Sequence, residues 1–308
     1  MPPSPVPPSP VPPSRLHADQ VDIDESVARR LIAAQLPRYA KLPLHRVSSG
    51  GTDNAVFRLG SALALRMPLT QSASASVTKE ARWLPVVARH VSLDVPEVVA
   101  TGVPGEGYPF PWAVLSWLPG QDALSGRFRS LADTAVALGR FVAELRAIDP
   151  SNGPVGRRGG PLAGRDEEFR SALSQCDGLL DVARAAAVWD DALAAPPWDG
   201  PPVWLHADLI PGNLLLRDGR LVGILDFGTV TRGDPAYDVT AAWHVLDAAS
   251  RPAFLSLLDA DGPTRRRARG LVLSGGVIAL PYYLHTNPAM VATARTGIDA
   301  VLTDDDPS

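Results

Sequence analysis

Three oxygen-bearing side chains stand close together in one stretch of the sequence, between short apolar runs. In VWLHADLIPGNLLLRDGRLVGILDFG (203–228), Asp208 precedes Asn213 by five residues and Asp226 follows Asn213 by thirteen. Magnesium prefers hard oxygen ligands and keeps several waters, so one carboxylate and one amide suffice when phosphates supply the rest. A second carboxylate is then left to orient or deprotonate a hydroxyl. Together these are the parts of phosphoryl transfer.

The residues around this set predict a β-hairpin. Asp218-Gly219 is a strong turn signal between the apolar runs NLLL and LVGIL. Such a hairpin returns the chain near Asn213 to the side of the chain near Asp226. Asp208 lies on the loop that leads into the first strand. The three side chains are therefore expected to meet at one end of the hairpin.

The composition favours a cytoplasmic enzyme. The chain has 308 residues, 45% hydrophobic and 20% charged, which suits one large or two modest domains with a full core. A net charge of −4 argues against nucleic-acid binding, and the basic segment TRRRARG (264–270) is interpreted as the polar face of a helix. The single Cys176 fits a reducing compartment. Neither a signal peptide nor a membrane-spanning segment is expected.

Patterning divides the chain into two lobes and two tails. Residues 1–14 repeat a proline-rich unit and predict a disordered tail. Residues 15–118 predict an N-lobe with a leading helix, a small antiparallel sheet and one further helix. Residues 119–302 predict a larger, mostly helical C-lobe, and residues 303–308 a solvated acidic tail. The fold class predicted is α+β.

Periodicity places the elements of these lobes. Helical spacing covers 22–36, 76–90 and 131–148, and β-prone runs cover 45–68, 96–102 and 112–118. Gly60-Ser61 predicts a two-residue hairpin turn within the first of these runs. Residues 150–200 predict short helices within long loops.

The catalytic segment resembles a known family. HADLIPGN followed by DFG is similar to the catalytic loop and metal motif of the aminoglycoside phosphotransferase family, small-molecule kinases with the two-lobe protein-kinase-like fold. The resemblance covers about residues 43–300. It implies that Asp208 accepts or orients the substrate hydroxyl. It also implies that Asn213 and Asp226 hold magnesium ions on the phosphates of ATP or GTP, and that His206 braces the loop structurally.

A Gly-rich segment of the N-lobe resembles the phosphate-covering loop of the same family. In SSGGTDNAVFRL (48–59), Gly50 and Gly51 permit close backbone approach to phosphates, and Thr52 and Asn54 belong to the same nucleotide-binding segment. The same residues also form an ordinary turn signal.

The next strand predicts the nucleotide pocket. Alternation of side chains along the strand places Ala64 and Arg66 on one face. The small Ala64 leaves room for adenine, and Arg66 provides a cation beside it to contact phosphates. Glu80 is the natural counter-ion of Arg66. The fold usually has Lys at the Arg66 position; Arg keeps the charge, so an active enzyme is expected, and Lys there is expected largely to preserve activity. The alternative is a surface arginine on an edge strand. The resemblance makes Ser116 and Leu118 hinge residues whose carbonyl and amide bind the adenine edge.

The acceptor side is less well marked. The region just after the metal motif borders the substrate cleft in the family. In this sequence it contains Asp234, Tyr237 and Asp238. Structural roles are favoured for Asp234 and Asp238, because Gly-Asp-Pro is a good helix start. The acidic residues 166–168 suit a polyamine substrate, but a solvated helix face is the favoured interpretation.

The sequence thus predicts an ATP- and magnesium-dependent phosphotransferase acting on the hydroxyl of a small molecule. An antibiotic such as an aminoglycoside is the leading acceptor by family resemblance. The alternatives are a kinase of a metabolic hydroxyl compound, such as a sugar or amino alcohol, and a nucleotide-binding pseudokinase that only Arg66 supports. A metal-dependent hydrolase using His206 and Asp208 is disfavoured because no second His or Cys lies nearby at ligand spacing.

Overall fold

The N-lobe is built on one antiparallel sheet. The computed structural model describes residues 19–47, 53–156 and 158–304. The strands of the sheet run over Leu44–Arg46 (β1), Asn54–Leu59 (β2), Leu63–Pro68 (β3), Val98–Gly102 (β4) and Trp112–Ser116 (β5). Their order across the sheet is β1-β2-β3-β5-β4. This is the small antiparallel sheet that the sequence predicts.

The hairpin between β2 and β3 places the site residues of β3. Leu59 pairs directly with Leu63, so the loop contains three residues, 60–62, and the predicted two-residue turn is wrong. The reason is local: the N–H of Gly60, which has a φ of 63°, donates to the Pro43 carbonyl at 2.7 Å. This hydrogen bond ties Gly60 to Pro43, the residue that precedes β1, and the chain turns back only after Gly60.

Two capped helices pack against this sheet. The first, Glu25–Gln35 (α1), is capped by the side chain of Asp24. The second, Gln71–Val87 (α2), is capped by Thr70 and begins five residues before the predicted start at residue 76. The serine-rich first turn of α2 has too few apolar residues to reveal a helical stripe in the sequence.

The two faces of the sheet have separate cores. Phe57 and Leu65 belong to a cluster that includes residues of α1. Ala64 and Ala113 pack with Val77 of α2 on the other face. Alternation along β3 therefore directs Ala64 toward α2, as the sequence predicts.

The C-lobe is mostly helical and encloses the larger core. Its helices run over Leu131–Arg146 (α3), Asp166–Leu173 (α4), Val182–Ala194 (α5), Ala236–Val239 (α6), Ala241–His244 (α7), Arg251–Leu257 (α8), Gly262–Tyr283 (α9) and Pro288–Leu302 (α10). The helical spacing predicted over 131–148 matches α3, in which Leu138, Phe141, Val142 and Leu145 are all buried. The basic segment 264–270 lies on α9, where the buried Arg267 pairs with Asp234 instead of facing solvent.

Two short sheets hold the loops between these helices. Their strands are Gln121–Asp122 (β6), Val203–Leu205 (β7), Leu214–Arg217 (β8), Arg220–Ile224 (β9) and Thr231–Gly233 (β10). One sheet has the order β6-β8-β9 and the other pairs β10 with β7. The predicted catalytic segment therefore runs from β7 through the hairpin β8–β9 to β10.

The described C-terminal end is anchored. The Trp243 indole donates to Asp304 at 2.6 Å, and Arg251 pairs with the same carboxylate at 3.1 Å. The predicted solvated tail is therefore wrong at Asp304, while residues 305–308 and the predicted proline-rich tail 1–14 lie outside the described residues. Among the helices of the described ranges, none has the length and apolar character needed to cross a membrane.

Candidate active site

The hairpin β8–β9 brings the predicted metal residues together. Asp218 and Gly219 both have positive φ, at 52° and 74°, as a tight two-residue turn requires. The register pairs Leu214 with Ile224, and the N–H of Leu225 donates to the carbonyl of Asn213 at 2.8 Å. Asn213 and Asp226, which flank these pairs, therefore lie side by side at the open end of the hairpin.

Asp238 shapes the catalytic loop that follows β7. Its carboxylate accepts the N–H of His206 at 2.9 Å and the N–H of Ala207 at 2.7 Å. Ala207 has a φ of 62°, a left-handed conformation that side chains rarely adopt and that these bonds hold in place. Burial raises the pKa of Asp238, while the two amides that donate to its carboxylate oppose that rise.

His206 is buried and connects the loop that carries Asp208 to the segment that leads into Asp226. Its Nε2 lies 3.0 Å from the Leu225 carbonyl and its Nδ1 lies 3.2 Å from the Asp208 amide. A carbonyl only accepts and an amide N–H only donates, so the ring is neutral with its proton on Nε2. These contacts are compatible with the structural role that the sequence predicts for His206.

Asp208 is held by two donors and remains partly open to the cleft. Its Oδ1 lies 2.5 Å from Nη1 of Arg158, and its Oδ2 accepts from Nδ2 of Asn213 at 3.1 Å. The side chain is 24% exposed. Each carboxylate oxygen has a second lone pair, so Asp208 can still accept a hydrogen bond from a substrate hydroxyl.

Asn213 and Asp226 offer oxygens suited to magnesium. Nδ2 of Asn213 donates to the carbonyl and the side chain of Asp208, which leaves Oδ1 for a ligand. Asp226 uses Oδ1 for Arg66 and Gly228, and its side chain is 40% exposed. One carboxylate with one amide fits a magnesium ion that takes its other ligands from phosphate and water. Within the described ranges, no group of three or more His, Cys, Asp or Glu forms a metal site by itself.

Arg66 connects the two lobes at this site. Its Nη1 pairs with Glu80 of α2, and its Nη2 lies 2.7 Å from Oδ1 of Asp226. Glu80 also accepts the N–H of Phe227 at 2.9 Å. Burial opposes the charge on Arg66, but Asp226 and Glu80 outweigh it and raise the pKa of Arg66. Burial likewise opposes ionisation of Asp226, yet the charge of Arg66 lowers the pKa of Asp226 below its ordinary value.

Arg66→Lys is expected to give a folded protein with about tenfold lower kcat/KM for ATP, a larger loss than the sequence alone predicts, because Arg66 contacts two carboxylates. Lys carries the charge but lacks the second nitrogen that lets Arg66 contact two carboxylates, and a charge-assisted hydrogen bond contributes about 1.5–3 kcal/mol. Steady-state kinetics at varied ATP concentration measures the loss, and Arg29→Lys, at an exposed position of α1, is the matched control. Arg66→Met should lose far more. Equal losses for the Lys and Met variants would contradict a role for charge.

The predicted nucleotide residues of the N-lobe lie on the cleft side of the sheet where they are described. Ala64 is buried on the face toward α2, and Ser116 and Leu118 are partly exposed at the end of β5. Asn54 begins β2, and its Oδ1 is buried without a hydrogen-bond partner among the described residues. Gly50, Gly51 and Thr52 lie outside the described residues.

The predicted acceptor residues are mostly committed to internal contacts. Asp234 accepts the N–H of Ala236 at 2.9 Å and pairs with Arg267 at 2.7 Å, which starts α6 and ties it to α9. Tyr237 is buried on α6 beside Asp238, which holds the catalytic loop. In the acidic cluster, Asp166 pairs with Arg170 at 2.8 Å and accepts the Trp189 indole at 2.7 Å.

Two cations near Asp208 were not predicted from the sequence. Arg158 contacts Asp208 directly, and Lys79 of α2 lies close enough for the charge of Arg158 to lower the pKa of Lys79, in addition to the larger effect of burial. The only signal in the sequence is the pair of arginines among glycines in GRRGG (156–160). Such a segment reads as an ordinary flexible loop.

The fold and the site together define a kinase-like phosphotransferase architecture. A small sheet with two helices precedes a helical lobe, and the loop that carries Asp208 precedes a hairpin that ends at the predicted metal residues. The family model described as the phosphotransferase enzyme family matches residues 44–271, well over half of the chain. The chain belongs to this family.

Known proteins with related sequences or structures agree with this assignment. An aminoglycoside 3'-phosphotransferase of Escherichia coli is 28% identical over 174 residues, which are 54% of this chain and 61% of the relative. The chain thus spans about three fifths of the length of that relative.

Solved structures confirm the predicted fold class. The GDP and kanamycin complex of APH(2")-IIia has a TM-score of 0.70 and 20% identity, covering 89% of this chain and 96% of the other. The macrolide 2'-phosphotransferase MphH from Brachybacterium faecium has a TM-score of 0.59 and 22% identity, covering 92% of this chain and 99% of the other. At these identities the likeness establishes the fold.

Proposed function

We propose that this protein transfers the terminal phosphoryl group of ATP to a hydroxyl of a small molecule, with magnesium. The observation that carries the proposal is the meeting of Asp208, Asn213 and Asp226 at one end of the hairpin β8–β9. A carboxylate with a free lone pair stands beside an amide and a second carboxylate that suit magnesium. Phosphoryl transfer is mainly positioning and charge neutralisation, and this set supplies both.

Asp208 is the group that receives the acceptor hydroxyl. Its carboxylate accepts the hydroxyl hydrogen bond, and the hydroxyl oxygen attacks the terminal phosphorus. The new bond joins that oxygen to phosphorus, the bond from phosphorus to the bridging oxygen breaks, and the hydroxyl proton passes to Asp208. ADP leaves with the bridging oxygen. Asn213 restrains the carboxylate through its bond to Oδ2 at 3.1 Å, so the side chain is oriented before the substrate arrives.

Asn213 and Asp226 would hold the metal, which neutralises charge on the phosphates when it is bound. Arg66 adds a fixed cation beside them. Its side chain is 8% exposed and is held by Glu80. Ala64, Ser116 and Leu118 are assigned to the adenine, and Gly50, Gly51, Thr52 and Asn54 to the phosphates, by family resemblance. The cytoplasm, where ATP is supplied, is the compartment that fits this activity.

An antibiotic is the first acceptor to test. The named relatives include phosphotransferases of aminoglycosides and of macrolides, and inactivation of such a compound is the proposed role. A metabolic hydroxyl compound is the alternative acceptor. Tyr237 is the acceptor-side residue with the fewest internal commitments, since Asp234 and Asp238 are engaged by Arg267 and by the catalytic loop.

A screen of hydroxyl acceptors with terminally labelled ATP tests this proposal. Purified protein with magnesium is offered aminoglycosides, macrolides, neutral sugars and amino alcohols, and Asp208→Asn serves as the matched inactive control. Labelled antibiotic is the expected product. Label on metabolites alone would replace the antibiotic by the metabolic acceptor. Magnesium-dependent ATP binding without transfer to any compound would indicate a pseudokinase and overturn the proposal.

A further inference from the structure

Arg158 places a guanidinium directly against the carboxylate of Asp208. Its Nη1 donates to Oδ1 of Asp208 at 2.5 Å and also to the carbonyl of Ala207. Its Nε and Nη2 have no hydrogen-bond partner among the described residues, and the side chain is 40% exposed. Arg158 therefore has three N–H donors left for a ligand beside the proposed catalytic carboxylate.

The backbone holds Arg158 in this position. Gly159 has a φ of 94°, and a Cβ there would lie 2.8 Å from the carbonyl of Arg232 on β10. The carbonyl of Gly159 accepts the N–H of Asp234 at 3.0 Å. The segment is thus seated on β10 by contacts that only glycine permits, so the backbone next to Arg158 is held against β10.

Lys79 brings a second cation to the same place from the N-lobe. A Cβ on Gly156 would lie 3.2 Å from its Nζ, so the loop that carries Arg158 packs against Lys79. Lys79 makes no ion pair among the described residues, since its neighbour Glu80 is bound to Arg66. Burial and the charge of Arg158 both lower the pKa of Lys79. Two cations held close together, of which only Arg158 is paired with a carboxylate, that of Asp208, leave positive charge that favours binding of an anion.

We propose that Lys79 and Arg158 form an anion site that binds the phosphoryl group as it passes to the acceptor hydroxyl. This inference rests on the proposed function. The transferring group carries negative charge on three oxygens, and it must approach the carboxylate of Asp208, which repels it. Arg66, with the metal that Asn213 and Asp226 would hold, would neutralise charge on the nucleotide side. The Lys79–Arg158 pair does so next to Asp208, where the free edge of Arg158 suits two phosphoryl oxygens at once.

The test uses aluminium fluoride, which with magnesium and ADP imitates the phosphoryl group in transfer and needs no acceptor. The whole protein should bind ADP with magnesium more tightly when aluminium fluoride is present. Arg158→Gln is expected to lose about 100-fold of that gain while keeping its affinity for ADP and magnesium alone, by analogy with the loss of one donor to a developing charge. Lys79→Met should lose about tenfold, and Arg158→Lys should be intermediate. Arg170→Gln, an exposed arginine on α4, is the matched control.

Three outcomes would overturn the inference. A fluoride gain that survives in Arg158→Gln removes Arg158 from the phosphoryl site and leaves the proposed function intact. An equal fall in affinity with and without fluoride would show that Arg158 supports only the nucleotide or the fold, and melting temperatures of the Gln and Lys variants separate those two. A wild-type protein that gains nothing from aluminium fluoride overturns the proposed function, and the inference with it.

Discussion

Asp208→Ala is expected to bind ATP with magnesium within about threefold of the wild-type affinity, yet to turn over at least about 1,000-fold more slowly, as loss of a general base requires. The side chain lies on the catalytic loop, not on the nucleotide-binding strand, and its two hydrogen bonds go to Arg158 and Asn213. Removing it takes away the acceptor of the hydroxyl proton and frees both partners, without touching Arg66 or Asp226.

The measurement pairs turnover with an acceptor from the screen and affinity by titration with a nonhydrolysable ATP analogue. Asp190→Ala, an exposed carboxylate of α5 at 60% exposure, is the matched control. Asp208→Asn keeps the shape and the Asn213 contact, so its loss isolates the negative charge. Turnover that persists in both variants would remove Asp208 from the mechanism.

Asp226→Ala is expected to abolish the contribution of magnesium to nucleotide binding. Asp226 supplies the only carboxylate proposed for the metal, because Glu80 is buried against Arg66 and the amide of Phe227. In a melting experiment, ATP with magnesium should stabilise the wild-type protein more than ATP alone. A ligand at about 100 times its Kd adds about 2.7 kcal/mol to the free energy of unfolding. The Asp226→Ala variant should show the same small rise in melting temperature on addition of ATP, whether or not magnesium is present.

The variant without ligand must be measured first, because Asp226 also neutralises Arg66 at 2.7 Å. Its loss leaves Arg66 with Glu80 alone, so some fall in melting temperature is expected before any nucleotide is added. Asn213→Ala should weaken the magnesium effect without that fall, since Asn213 does not contact Arg66. A magnesium-dependent shift that persists in Asp226→Ala would place the metal elsewhere.

The sequence predicted the hairpin β8–β9 well because its signals are local. Asp218-Gly219 specifies its turn through two positive φ angles, and β8 and β9 then fix the relation of Asn213 to Asp226. The face of β3 that carries Ala64 and Arg66 followed from simple alternation. The Arg66–Glu80 pair followed from their spacing on a strand and the next helix, and the structure contains it.

The sequence could not place residues whose partners are far away in the chain. Arg158 lies 50 residues from Asp208, in a loop without periodicity. Asp238 meets the catalytic loop 32 residues before it, and no local pattern indicates that its carboxylate supports a left-handed Ala207. Asp304 looked like part of a charged tail, but α7 and α8 present an indole and a guanidinium to it. Tertiary packing decided each of these positions.

The hydrogen bond between Glu80 and the amide of Phe227 affects how ADP can leave the cleft. A wide separation of the two lobes would break the hydrogen bond between the buried amide of Phe227 and the buried carboxylate of Glu80. Leaving each of these groups without the other would cost about 1–3 kcal/mol. Under the proposed function, ADP is therefore expected to leave the cleft through small movements of residues at its edge, without a wide separation of the two lobes.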